Sequence, residues 1–202
     1  GVDHTATIFK AHGTLSATLP GHTGWVRAVA FDAGHLFTVG CNFVKVWRQV
    51  GCANWVHVGD LVALGDILAL SAAGGVLVAA GVAAQAHRWR LPDAALRPSD
   101  WLTAARESMS LWPTHHDGRV TALAREGIWL YSVGHDGVLR KMCVDIRNSS
   151  IAASAPVGSR LLSVAALEGG LVACGSDVGS VHVFDADTLE MLETRQGLHG
   201  GA

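Results

Sequence analysis

The chain copies one layout four times. Trp25 to Arg48 reads WVRAVAFDAGHLFTVGCNFVKVWR, and Asp66 to Arg90 reads DILALSAAGGVLVAAGVAAQAHRWR. Arg119 to Met142 reads RVTALAREGIWLYSVGHDGVLRKM, and Arg160 to Asp185 reads RLLSVAALEGGLVACGSDVGSVHVFD. Each copy runs from an alternating apolar stretch through a turn to a short apolar stretch ending near a glycine. A tight turn and a third stretch closing on a large side chain complete it. A partial copy, DHTATIFK at Asp3 to Lys10, carries the third stretch alone. The closing residues are Phe9, Trp47, Trp89, Met142 and Phe184, at spacings of 38, 42, 53 and 42 residues. Alternation bounded by Gly, Asp and Asn is the pattern of half-buried antiparallel strands. Three or four such strands every ~40–45 residues mark a blade: one small sheet cannot cover its own apolar faces and must stack on a copy of itself.

Less apolar stretches between the copies supply outer strands, where a blade edge meets solvent. These are TLSATL at Thr14 to Leu19, WVHV at Trp55 to Val58, SMSLW at Ser108 to Trp112, SIAAS at Ser150 to Ser154 and LEMLET at Leu189 to Thr194. The predicted fold is all-β, a β-propeller of four-stranded antiparallel blades in one segment over 1–202. About four and a half blades are expected, forming an incomplete ring. The half blade takes 1–20, and blades one to four take about 21–59, 60–112, 113–155 and 156–196. The long 53-residue spacing arises from an insertion over about 92–107, PDAALRPSDWLTAARE. Ser99 or Asp100 can cap a short helix there, starting at Trp101, which makes Trp101 and Leu102 a candidate docking contact.

Composition narrows the function classes. Half of the residues are hydrophobic and 16% are charged, which describes a packed chain. The net charge of -2 and three scattered lysines lack the basic excess of a nucleic-acid binder. Ile67 to Ala84 runs 18 residues without a charge, the length at which a membrane span is considered. Gly74-Gly75 breaks it with a turn signal, so it reads as two strands and no membrane span is expected. Cys41, Cys52, Cys143 and Cys174 form no C-x-x-C pair and are expected as free thiols, which suits a reducing intracellular compartment. Neither a G-x-S-x-G elbow, a phosphate-binding glycine loop nor a metal-ligand spacing is present, so no enzyme activity, cofactor, metal or small-molecule substrate is expected.

GHTGWVRAVAF at Gly21 to Phe31 and CNFVKVW at Cys41 to Trp47 resemble the turn, first strand and third strand of the WD-repeat family. DVGSVHVFD at Asp177 to Asp185 and DHTATIF at Asp3 to Phe9 are similar to the same third-strand stretch. The resemblance implies a propeller, most often of seven blades, that works as a protein-binding scaffold. It also implies a hydrogen-bonded His, Ser/Thr, Asp and Trp set in each blade. Here the matching positions are His22, Thr38 and Trp47, with Cys41 in the Asp place; Trp89; His116 (or His115), Ser132 and Asp136, with Met142 in the Trp place; and Phe184, with Cys174 and Val178 in polar places. No blade holds the full set, so packing is expected to carry more of the stability.

On one face, loops between blades meet turns between second and third strands. Trp25, Arg27, Asn42, Arg119, His135 and Arg160 fall there and form the candidate protein-binding face, since Arg and Trp serve as interface anchors. Other proteins or peptides are the expected partners. Two alternatives are a ubiquitin-ligase substrate receptor, because Val144-Asp145-Ile146-Arg147 resembles a docking motif of such WD-repeat proteins, and an RNA-associated assembly factor. The opening half blade and the closing GLHGGA at Gly197 to Ala202 read as parts of a longer propeller. The chain alone is therefore expected to self-associate; a sharply melting compact monomer in sedimentation velocity would contradict this.

Overall fold

The computed structural model describes residues 1–51, 54–83, 85–145 and 151–197. Its strands form one two-stranded and four four-stranded sheets. The half blade pairs β1 (Ala6–Phe9) with β2 (Leu15–Leu19). Blade one is β3 (Ala28–Asp32), β4 (His35–Gly40), β5 (Phe43–Val50) and β6 (Asn54–Val62). Blade two is β7 (Ile67–Ala73), β8 (Val76–Gly81), β9 (Gln85–Arg90) and β10 (Ser110–Pro113), with helix α1 (Pro98–Glu107) between β9 and β10. Blade three is β11 (Val120–Glu126), β12 (Trp129–Gly134), β13 (Leu139–Cys143) and β14 (Ala152–Ala153). Blade four is β15 (Leu161–Leu167), β16 (Leu171–Ser176), β17 (Val181–Asp185) and β18 (Met191–Arg195). Within every sheet the strands are neighbours in chain order. The fold is all-β, four propeller blades and a half blade.

The uncharged run at Ile67 becomes β7 and β8, joined by Gly74 and Gly75 at φ 57° and 73°. Two consecutive left-handed residues make a hairpin turn that side chains resist and glycine accepts. No helix among the described residues is long and apolar enough to cross a membrane.

The chain divides into two compact units, Gly1–Ala79 with His87–Leu111 and Ala80–Ala86 with Trp112–Ala202. In the first unit Trp47 packs with Ala6 and Leu19 of the half blade. Trp89 belongs to a second cluster with Phe37, Val46, Leu61 and Leu77. In the second unit Phe184 packs with Tyr131, Val133 and Leu139 of blade three. Phe9, in the half blade, is 61% exposed.

Several boundaries differ from the sequence expectation. The outer strand of blade one runs nine residues to Val62, because β5 and β6 go on pairing from Gly59 to Val62 after a register shift at Val58. The outer strand of blade three is only Ala152–Ala153, and Ser150 lies outside the described residues. Blade four's outer strand starts at Met191, because Leu189 turns inward at φ 58° and is buried. The insertion helix starts at Pro98, three residues before Trp101, and neither Ser99 nor Asp100 caps it. Proline suits a first helical turn, where its missing N–H removes no intrahelical bond. Asp100 instead sits in that turn and pairs with Arg97 at 2.9 Å.

The larger correction concerns Trp101 and Leu102, which are no exposed contact. The helix lies against β6, and Trp101 is fully buried. Its ring stacks on His35 at 4.3 Å, and its Nε1 donates to the Pro92 carbonyl at 3.1 Å. Leu102 is half-buried and fills the space that any side chain on Gly59 would need. Arg106 donates to the Asp60 carbonyl at 2.8 Å, and Arg48 donates to the Ala94 carbonyl at 2.6 Å. An indole with its one donor satisfied gains more by burial than by facing water. Trp101→Ala should therefore destabilise the chain by about 3–5 kcal/mol in chemical denaturation; an unchanged midpoint would mean that the helix is not part of the core.

Candidate functional site

Strand pairing brings equivalent residues of the blades into the same place. Across from Thr38 stands Lys45, across from Ala79 stands His87, across from Ser132 stands Arg140, and across from Cys174 stands His182. The second strand thus offers a small residue, and the third strand answers with a basic one in all four blades. No signature motif marks this basic row; in the sequence it stands two residues before each closing side chain.

Each basic group finds a different partner. Lys45 pairs with Asp60 at 3.2 Å, and His57 reaches the same carboxylate at 2.7 Å. Burial acts to raise the Asp60 carboxyl, but those two partners outweigh it and hold the group below its ordinary value. His87 Nε2 accepts the Leu64 amide at 2.8 Å. Arg140 reaches Asp136 at 2.6 Å. His182 Nδ1 lies 3.0 Å from Thr194 Oγ1.

Around these rows lie the hydroxyl sets. In blade one His22 Nε2 lies 2.7 Å from Thr38 Oγ1, and Trp47 Nε1 donates to that oxygen at 2.9 Å. Cys41 occupies the turn at φ 60° and adds no bond to this set. Blade two has Ala79 in the hydroxyl place, and Trp89 stacks against His87 with ring centroids 5.8 Å apart. In blade three His116 Nε2 lies 2.9 Å from Ser132 Oγ, and Nδ1 lies 2.9 Å from Asp136. Asp136 also accepts the Asp117 amide at 3.1 Å, while His115 points away and is exposed. Blade four substitutes Cys174 and Phe184, both buried, and leaves Val178 68% exposed.

By distance alone, Ser132, His116 and Asp136 form the order of a nucleophile, base and carboxylate. Access decides otherwise. The His116 side chain is 0% exposed and Ser132 is 1% exposed, so no substrate reaches the hydroxyl. Arg140 lies 2.7 Å from His116 Nδ1 and opposes the imidazolium that general base catalysis must form. Burial, the largest influence, and Arg140 together hold His116 below its ordinary value against the pull of Asp136. For Asp136 burial pushes upward, but His116 and Arg140 prevail and keep it ionised. Cys174 is no nucleophile either: burial pushes its thiol up to about 12. Among the described residues Cys41, Cys143 and Cys174 form no disulfide, and Cys52 lies outside the described residues. Among the described residues, no three His, Cys, Asp or Glu side chains converge as metal ligands.

The strand-start residues differ in being open. In the first unit Trp25 is 55% exposed, and the Arg27 guanidinium lies 5.6 Å from its ring centre. Asn42 is half-buried, with its carbonyl accepting the Ala63 amide at 3.0 Å. In the second unit Arg119 and Arg160 are exposed and His135 is half-buried. The His135 amide donates to the Arg119 carbonyl at 3.0 Å, and Thr121 Oγ1 of blade three donates to the Leu161 carbonyl of blade four at 2.5 Å. The Thr121 bond sets the starts of β11 and β15 beside each other, with Arg119 and Arg160 at their ends. Among the described residues, Arg27, Arg119 and Arg160 make no ion pair. Asp145 is exposed, and Ile146 and Arg147 lie outside the described residues.

Residues 13–48 match the family model described as WD domain, G-beta repeat. No curated protein matches the chain. Among solved structures the chain is similar to the computationally designed Ika8 protein, with a TM-score of 0.73 and 19% identity. That likeness covers 97% of this chain and 57% of the designed one, and at such identity it speaks of the fold alone.

Five buried histidines give the fold a pH dependence. Burial holds His22 down at about 4 and keeps His35, His87, His116 and His182 below 6.5. The unfolded chain takes up those protons near pH ~6.5, before the folded chain does. Stability is therefore full above that pH and falls as acid is added. Thermal melts from about pH 8 to about pH 5 should show a falling midpoint, with a shallower slope in His22→Gln. A flat profile across that range would contradict the buried, neutral state of these rings.

Proposed function

We propose that this chain, a run of divergent WD-like repeats, is a non-catalytic scaffold that binds other proteins or peptides. The observation that carries this reading is how its polar groups are divided. The one hydroxyl–imidazole–carboxylate relay among the described residues is sealed inside blade three. The guanidiniums at the strand starts are instead exposed and carry no ion pair among the described residues. Buried relays hold a sheet together, because each member satisfies a group that would otherwise be stranded away from water. Exposed arginines, Arg27 beside the exposed Trp25 in one unit and Arg119 and Arg160 in the other, have the opposite character: little local purpose, and the geometry to take a carboxylate in two parallel bonds.

His22, Thr38, Trp47, Trp89, His116, Ser132, Asp136 and Phe184 are, in this reading, the structural network. Trp25, Arg27 and Asn42 in one unit, and Arg119, His135 and Arg160 in the other, are the binding residues. Affinity capture with the full-length protein as bait tests the division. Arg119→Glu with Arg160→Glu should deplete the captured partners about tenfold or more without lowering the melting midpoint. Ser132→Ala should destabilise the chain by about 1–3 kcal/mol yet capture the same partners. An enzymatic activity abolished by Ser132→Ala in folded protein would overturn the scaffold reading, as would undiminished capture by the arginine variant.

A further inference from the structure

Blades two and four join their third and fourth strands differently, and the difference leaves one groove filled and its counterpart open. The two connections leave their sheets at the same place: the Leu91 amide donates to the Gly75 carbonyl at 2.7 Å, and the Ala186 amide donates to the Gly170 carbonyl at 2.8 Å. In blade two the connection then carries α1, which lies on β6 of blade one. Trp101, Leu102 and Ala105 fill the groove, and Arg106, one turn after Leu102, donates to the Asp60 backbone carbonyl. In blade four the connection is the short turn Ala186–Glu190, and the preceding outer strand is β14 of blade three. Ala153 of β14 pairs with Arg140 as Asp60 pairs with Lys45, so Ala153 stands in the place of Asp60.

Among the described residues no helix lies over Ala153. A groove of about 350 Å³ opens there, with Ala153, Pro156 and Val157 on one wall and Met191 on the other. Its floor is Phe184 and Leu189, 1% and 3% exposed. The floor is rigidly held. The Asp185 carboxylate accepts the Asp187 and Thr188 amides at 2.9 and 2.8 Å, and this fixes the turn that sends Leu189 inward. Lys141 holds the start of that turn, donating to the Ala186 carbonyl at 2.7 Å with its ammonium 4.4 Å from the Trp129 ring centre. At the mouth Met191 is 54% exposed, and Glu190 is an exposed carboxylate without an ion pair among the described residues.

We propose that this groove docks a short amphipathic helix of a partner protein, seating one bulky apolar side chain on Phe184 and Leu189 and turning a basic residue toward Glu190. Two observations choose that occupant. The matching groove in the first unit is filled by such a helix, with a basic residue one turn from its apolar contacts. The mouth of the open groove carries a negative charge for that residue to meet. The cavity lies at the lower end of ligand-site volumes and suits one large side chain. The turn at Ala186–Glu190 and Arg160 lie at opposite ends of the blade-four sheet, so this surface is independent of the strand-start arginines.

The probe is a fluorescein-labelled peptide copying residues 96–109, titrated into the full-length protein by fluorescence anisotropy. Saturable binding is expected, weakened about tenfold or more by Met191→Arg and by Glu190→Lys, and unchanged by Arg119→Glu with Arg160→Glu. A peptide carrying Arg106→Glu should recover affinity for the Glu190→Lys protein. Both substitutions lie at exposed positions, and Ala155→Arg on the facing wall replaces Met191→Arg if that variant melts lower. Absence of saturable binding overturns the proposal, and so does binding indifferent to all groove variants, which would mean the peptide replaces α1. Self-association of the wild type that Met191→Arg abolishes would make the occupant a second copy and equally overturn it.

Discussion

The large apolar side chain that closes the third strand in blades one, two and four is the contact on which the other parts depend. Trp47 covers Ala6 and Leu19 of the half blade, and Trp89 packs with Phe37 and Val46 of blade one. Phe184 meets Tyr131 and Leu139 of blade three. In each case the side chain belongs to one sheet and covers the sheet before it. A four-stranded sheet has two apolar faces and no means of covering either, so a stack of blades is stable only where something bulky fills each seam. Full burial of such a side chain contributes roughly 2–3 kcal/mol, and it does so without directional demands.

That lack of direction explains why the polar sets have been allowed to vary. Blade one keeps a hydroxyl, an imidazole and an indole donor meeting at Thr38. In blade four Cys174 and Phe184 replace the hydroxyl and the indole together. Losing donor and acceptor at once strands neither, whereas losing one would leave its partner unsatisfied in the core. Blade three took a third course. Met142 offers no donor, and Asp136 with Arg140 supplies charged bonds around His116 instead. Packing sets the fold, and the polar groups need only balance locally.

The strands and their closing residues were legible because both signals are local or periodic: alternation within a strand, and recurrence near the blade period. The direction of Trp101 was not. A tryptophan in a polar insertion reads the same whether it faces water or core, and what decides it is the face of His35 and the bare backbone of Gly59, on two other strands. Leu189 continues an outer-strand pattern in the sequence, and leucine resists the left-handed backbone; the Asp185 turn imposes it. For the candidate site, the arginines at the strand starts could be read from their position before an apolar run. The basic row facing Thr38, Ala79, Ser132 and Cys174 is legible only by register, two residues before each closing side chain, since Lys45, His87, Arg140 and His182 share neither a residue type nor a charge state. Their partners, a carboxylate in two cases and an amide and a hydroxyl in the others, come from elsewhere in the chain.

The length of one connection separates core from surface in this repeat. Between β9 and β10 the chain is long enough to fold a helix back on the neighbouring blade, and the groove becomes interior, with an indole at its centre. Between β17 and β18 the connection is too short to do so, and the same groove keeps an apolar floor beneath an open mouth. Scaffold positions are held by packing that tolerates little change, while connections vary at small cost. A repeat architecture therefore makes new surfaces by shortening a loop as readily as by lengthening one. The short connection of blade four exposes a site whose shape the filled copy in blade two describes.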